Sequence, residues 1–151
     1  MIYSELVKTA MRIAYAAHNG QTDKAGYPYI HHPLHLAEQM DTELATVVAL
    51  LHDVAEDTPV GLEEMRRQGI PEEAITALKL LCHDDDTPYA AYIDRLQDNL
   101  TALKVKRADL LHNLDSTRLP AGFDHAHLRA RYVPALEKVE GYIRVLEEKN
   151  K

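Results

Sequence analysis

Residues 43–57 read Glu-Leu-Ala-Thr-Val-Val-Ala-Leu-Leu-His-Asp-Val-Ala-Glu-Asp. Val47, Val48, Leu50, Leu51 and Val54 spread around most of a helical circumference, so this segment predicts a helix at the centre of a helical protein. Asp41 or Thr42 supplies its N-terminal cap. Four polar residues interrupt the apolar pattern near its end. At about 100° per residue, His52, Asp53, Glu56 and Asp57 fall within an arc of roughly 140°. Ionisable groups buried there without partners would be strongly destabilising, and a divalent cation would compensate several of them at once. The competing reading is a solvated polar face.

Outward from this segment the apolar spacing stays helical, and no alternation of period two extends over four or more residues. The expected fold is all-α, a single multi-helix bundle spanning residues 1–151. A first helix runs from about Ser4 to Ala17 with Leu6, Ala10, Ile13, Ala14 and Ala17 on one stripe, ended by Asn19-Gly20. A polar loop from Gln21 to His32 leads to Pro33 in the first turn of the next helix, which places His32 at a helix entrance. Past the central segment, helices are expected at Leu62 to Gln68, Pro71 to Leu81, Pro88 to Leu96 behind the Thr87-Pro88 start signal, Leu100 to Leu114 and His127 to Glu148. No repeat and no Gly-, Ser- or Pro-rich linker divides the chain.

Composition narrows the function. Seventeen Lys and Arg against 24 Asp and Glu give a formal charge of −7, which argues against a phosphate-tracking surface for polymeric nucleic acid. A small phosphorylated ligand remains compatible with that charge if a metal cation neutralises its site. The single cysteine, Cys82, cannot form an internal bridge. No segment has the order of a signal peptide, and the longest apolar run, Ala45 to Leu51, is too short to span a bilayer; the expectation is a soluble cytoplasmic protein with no membrane partner.

His32, and Asp109 in the segment Lys106-Arg107-Ala108-Asp109-Leu110-Leu111-His112-Asn113, extend the central cluster. Two imidazoles and two carboxylates form a mixed N/O set that suits manganese, iron(II), magnesium or zinc and leaves positions open for water and substrate.

Three blocks occur in order: Ala17-His18-Asn19-Gly20-Gln21 leading to Pro28-Tyr29-Ile30-His31-His32-Pro33-Leu34, then Ala49-Leu50-Leu51-His52-Asp53-Val54-Ala55-Glu56-Asp57-Thr58, then Ala108-Asp109-Leu110-Leu111-His112-Asn113. On these blocks, from Ala16 to about Leu119, the chain resembles the HD-domain metal-dependent phosphohydrolases, and within them the hydrolase domain of the RelA/SpoT alarmone enzymes and their small single-domain relatives. The resemblance implies that His32, His52, Asp53 and Asp109 bind one divalent metal ion, manganese(II) in alarmone hydrolases. It also implies that Glu56 and Asp57 position and activate the attacking water, and that Lys24 and Asn113 bind the nucleotide. The expected reaction is removal of the 3′-diphosphate of guanosine tetra- or pentaphosphate. Two departures from the family pattern bear on base recognition: Asp23 replaces the first of two consecutive basic residues, and Leu110 replaces an arginine. They favour, as alternatives, another nucleotide phosphohydrolase of 5′-nucleotidase type, or an HD module that binds a nucleotide without turnover. With 151 residues there is no room for a synthetase domain, so the expectation is a chain that only degrades. Self-association is compatible with this sequence.

The remaining candidates carry plainer expectations. His112 and His18 are read as structural hydrogen-bonding residues, the alternative being a place beside the metal, most of His31, His35, His83, His125 and His127 as solvent-facing, and Asp84-Asp85-Asp86 as a solvated loop. Cys82 is read as packing.

Overall fold

In the computed structural model, which describes residues 1–151, the chain forms eight α-helices: α1 (Glu5–Ala17), α2 (His31–Glu38), α3 (Glu43–Asp57), α4 (Leu62–Arg67), α5 (Glu72–Leu81), α6 (Tyr89–Asp94), α7 (Leu100–Asn113) and α8 (His125–Lys149). The nearest approach to a strand is an isolated bridge between Thr22 and Pro28 in the loop before α2. Side-chain caps fix where the long helices start. Ser4 accepts from the Val7 N–H at α1, Thr42 from Ala45 at α3, Asn99 from Ala102 at α7 and Asp124 from Ala126 at α8, each satisfying a donor that the first helical turn leaves free. The choice between Asp41 and Thr42 therefore falls to Thr42.

Every residue of α3 from Ala45 to Val54 is buried, polar Thr46 included, whose hydroxyl donates to the Thr42 carbonyl at 2.7 Å. Around it pack α1, α2, α5 and α7, while α8 lies across α6 and α7. One cluster of 30 buried apolar residues draws on all eight helices, so no helix builds a separate core. No helix is long and apolar enough to cross a membrane.

Several local expectations shift. Val7, not Leu6, is the deepest residue at the start of α1. Thr87 does not cap α6: its hydroxyl donates to Asp84 Oδ1 at 2.7 Å, and Pro88 occupies the cap position without a side-chain bond. Asp84 thus organises the exposed acidic loop from within, also accepting from the Asp86 N–H. A 3₁₀ turn, Ser116–Arg118, follows α7. The last helix begins two residues before the expected His127 and, as expected, runs through Pro134. The hydrogen bond that Pro134 cannot donate leaves the Ala130 carbonyl on an exposed face, where water can take it.

Candidate metal centre and adjoining cavities

His32 enters from the first turn of α2, His52 and Asp53 from the end of the buried helix α3, and Asp109 from α7; mutual packing of these three helices brings the four side chains to one point. His32 Nε2 lies 2.9 Å from Asp109 Oδ1 and 3.5 Å from Asp53 Oδ2. His52 Nε2 lies 3.1 Å from Asp53 Oδ2 and 3.9 Å from Asp109 Oδ1. All four residues are buried.

The protonation pattern tests whether a metal fits. His52 Nδ1 sits 2.7 Å from the Ala49 carbonyl, which can only accept, so Nδ1 carries a proton and a neutral ring presents its Nε2 lone pair. That Nε2 is buried and makes no hydrogen bond despite its two carboxylate neighbours. Nitrogen and oxygen lone pairs facing one another at these separations require a cation between them. Neighbouring ligands held about 2.1 Å from one ion would themselves lie about 3 Å apart, close to the observed spacings. Without a metal, a proton must serve: burial disfavours an imidazolium at His52, yet Asp53 and Asp109 outweigh it and hold its pKa well above the usual histidine value. The donor set, its spacing and its demand for positive charge all fit a divalent ion.

Outer partners hold each candidate ligand. Tyr29 donates its hydroxyl to Asp53 Oδ2 at 2.5 Å, and burial, with Asp53 adding to it, keeps that phenol protonated. Lys106 Nζ donates to Asp109 Oδ2 at 2.9 Å, and Asn113 Nδ2 to Asp109 Oδ1 at 3.1 Å. Burial opposes the charge on Lys106, but Asp109 prevails and raises its pKa. His32 Nδ1 meets His112 Nδ1 at 2.7 Å. Burial first, then Arg118, pushes His112 down to about 3, so its ring is neutral and can accept the His32 proton while His32 Nε2 faces the centre. The structural bond expected of His112 is therefore made to a candidate ligand.

Glu56 and Asp57 project at the exposed end of α3, and their carboxylates group with that of Asp53. Burial and the Asp53 charge raise both pKa values above the usual carboxylate range, although at Glu56 the His83 N–H, which donates at 3.3 Å, pulls the other way. Gln21 donates to the Asp57 carbonyl at 3.4 Å and is braced by His18 Nδ1, 2.6 Å from its side-chain oxygen. Burial pushes the Cys82 thiol up to about 11, in keeping with packing and not nucleophilic use.

Two cavities meet at the centre. The larger, about 320 Å³, is lined by Lys24, Tyr29, His32, Asn113 and Arg118 among others. The smaller, about 180 Å³, is lined by Glu56, His83, Tyr89, Lys106 and Arg131 beside Asp53 and Asp109. Lys24 and Asn113 thus both reach cavity walls, with Lys24 Nζ 4.9 Å from the Phe123 ring centroid. Asp23 turns its carboxylate inward, accepting from the Ala25 and Tyr27 N–H groups at 2.9 and 3.0 Å, so it shapes the loop that carries Lys24. Leu110 is fully buried and lines neither cavity, so its exchange for an arginine bears on packing and not directly on the base.

Sequence reasoning passed over Tyr29, Lys106, Arg118 and Arg131. Lys106 could have been found as an i,i+3 partner of Asp109 on one helix. Arg131 had no local signal. The expectation that most of His31, His35, His83, His125 and His127 face solvent holds for His31, His35 and His127; His35 nonetheless stacks on His112 at 4.1 Å, and half-buried His83 lines the smaller cavity.

No family model matches the chain. It is 32% identical over 128 residues to a GTP pyrophosphokinase of Streptomyces antibioticus, covering 74% of this chain and 15% of that protein. It is likewise 32% identical over 122 residues to the bifunctional (p)ppGpp synthase/hydrolase SpoT of Escherichia coli K12, covering 72% of this chain and 17% of that one. A solved structure described as a metazoan ortholog of SpoT that hydrolyzes ppGpp matches with a TM-score of 0.76 at 23% identity, over 95% of this chain and 88% of the other. The chain spans 15 to 17% of the length of these curated relatives. By sequence and by its all-helical fold, the chain is a RelA/SpoT homologue of the HD-domain type, matching one segment of its much longer relatives.

Proposed function

We propose that residues 1–151 form one HD-type metal-dependent phosphohydrolase domain that removes the 3′-diphosphate of guanosine tetra- or pentaphosphate. The observation that carries this reading is the buried, unpartnered lone pair of His52 converging with His32, Asp53 and Asp109 beside the Glu56–Asp57 pair. A divalent ion, manganese(II) by the resemblance to alarmone hydrolases, would be held by this mixed N/O set and would supply Lewis acidity and offset phosphate charge there. The side chains do the rest. Glu56 and Asp57, whose pKa values burial raises, take the proton of the attacking water and return one to the departing 3′ oxygen. The larger cavity has room for a nucleoside, with Lys24 and the Arg118 N–H groups not given to the His112 carbonyl available to phosphate, and the free Asn113 oxygen available to the sugar or base. Relatives named for (p)ppGpp hydrolysis support the choice of substrate.

The reading makes a small phosphorylated nucleotide the partner, in the cytoplasm, with no polymeric nucleic acid or membrane involved. A second reading, a nucleotidase releasing orthophosphate, draws on Asp23, which puts a loop-bound carboxylate where a basic residue would meet the base. Product analysis separates the two: chelator-stripped protein resupplied with manganese is offered guanosine tetraphosphate beside ordinary mononucleotides. Pyrophosphate with GDP, absent from the stripped control, supports the main reading; orthophosphate from a mononucleotide supports the second.

A further inference from the structure

The smaller cavity holds two cations against one ring. Arg131 Cζ lies 4.3 Å and Lys106 Nζ 5.6 Å from the Tyr89 ring centroid. Their circumstances differ. Lys106 is neutralised by Asp109 at 2.9 Å, whereas Arg131 makes no ion pair and no hydrogen bond within the chain; it is an exposed residue of α8 at the cavity wall. The Tyr89 hydroxyl is buried there without a hydrogen-bond partner. A planar fork of unengaged donors and an unused hydroxyl, beside the metal centre and the ion-paired Lys106, describe a receptor for a compact polyanion. At about 180 Å³ the space is too small for a nucleoside and adjoins the larger cavity through Tyr29, His32, Asn113 and Tyr132, which line both.

We propose that Arg131 is a specificity-determining residue that captures the distal phosphate of a 3′-diphosphate in this smaller cavity. The inference rests on the phosphohydrolase reading above and adds where the second phosphate goes. In the reaction, the water oxygen bonds to the phosphorus attached to the ribose 3′ oxygen, and the bond from that phosphorus to the 3′ oxygen breaks. The proton of the water passes to a carboxylate, and the 3′ oxygen leaves with a proton as a hydroxyl. The attacked phosphorus carries the distal phosphate away with it as pyrophosphate. Holding that distal group orients the attacked phosphorus, and a 3′-monophosphate has nothing to offer Arg131. The cavity therefore favours release of pyrophosphate over orthophosphate. Glu56 on the same wall repels a misplaced phosphate, which confines the distal group to the Arg131 side.

The test compares wild type with Arg131→Ala and Arg131→Lys, both at an exposed position. Two readouts are taken on manganese-loaded protein: kcat/KM for guanosine 3′,5′-bis(diphosphate) against guanosine 5′-diphosphate 3′-monophosphate, and calorimetric affinity for inorganic pyrophosphate against orthophosphate. Arg131→Ala should reduce the preference for the diphosphate ester by about 10-fold or more, mainly through KM, and weaken pyrophosphate to a similar extent; Arg131→Lys should recover part of both. A preference and a pyrophosphate affinity that both stay within about twofold of wild type in Arg131→Ala overturn the proposal. If wild type cleaves neither ester while pyrophosphate binding still depends on Arg131, the anion site stands and the phosphohydrolase reading fails.

Discussion

The lone pair of His52 is the smallest feature on which the proposed function rests. Its ring is locked by the Ala49 carbonyl, so the nitrogen facing Asp53 and Asp109 has no choice of tautomer while neutral. Tyr29 acts one bond further out. Tyr29→Phe removes the hydroxyl that steers Asp53 and should weaken manganese binding by about 10- to 100-fold while the helical content stays unchanged; calorimetry with circular dichroism checks both. Glu56→Gln removes the proposed proton acceptor and should lower kcat by about 10²- to 10⁴-fold with metal content retained, and undiminished turnover would remove Glu56 from the proposed mechanism. The pH dependence has a definite sign. Burial raises Glu56 and Asp57, and a carboxylate must be ionised to accept a proton, so activity should fall on the acid side at a pH above the usual carboxylate value. A pH–rate profile whose acid limb sits at or below that value would contradict the assignment. His52, Asp53, Glu56 and Asp57 were legible in one stretch of sequence because a helix displays its periodicity locally. Tyr29 was not, since its tie to Asp53 crosses from a loop to a helix.

At the scale of elements, α3 serves as both core and scaffold. Ten consecutive buried residues leave it no freedom to rotate, and that rigidity fixes His52 and Asp53 against His32 of α2 and Asp109 of α7. Leu50→Ala, at a fully buried site, should cost about 2 to 5 kcal/mol, read by denaturant unfolding, and should loosen metal binding with it. A loss under about 1 kcal/mol would mean that α3 is not the packed centre of the fold. The apolar run of α3 announced the central helix because burial on all sides requires such a run. Helix starts set by Ser4, Thr42 and Asn99 follow from side-chain capping, whereas α6 departs from that rule: Thr87 bonds backward to Asp84 and leaves the cap to Pro88. The continuation of α8 through Pro134 is a tertiary effect, with Ala135, Val139 and Ile143 buried beyond it.

Over the whole molecule, the −7 charge argues against nucleic-acid polymers but conceals a local arrangement. Lys24 and Arg118 line the larger cavity and Lys106 and Arg131 the smaller, so basic groups flank the acidic centre on both sides. An acidic protein can admit a polyphosphate when its few cations gather where the ligand binds. Periodicity could not reveal this, since Arg131 joins Lys106 only because α8 folds back over α6 and α7. In the proposed mechanism the four-residue centre holds one ion, and cleavage depends on it. Titrating manganese into chelator-stripped protein while following pyrophosphate release from guanosine tetraphosphate tests both halves together. Activity should be absent at the start and level off near one equivalent of manganese per chain, with Asp109→Ala recovering none; full activity in stripped protein, or undiminished recovery in Asp109→Ala, would contradict the account.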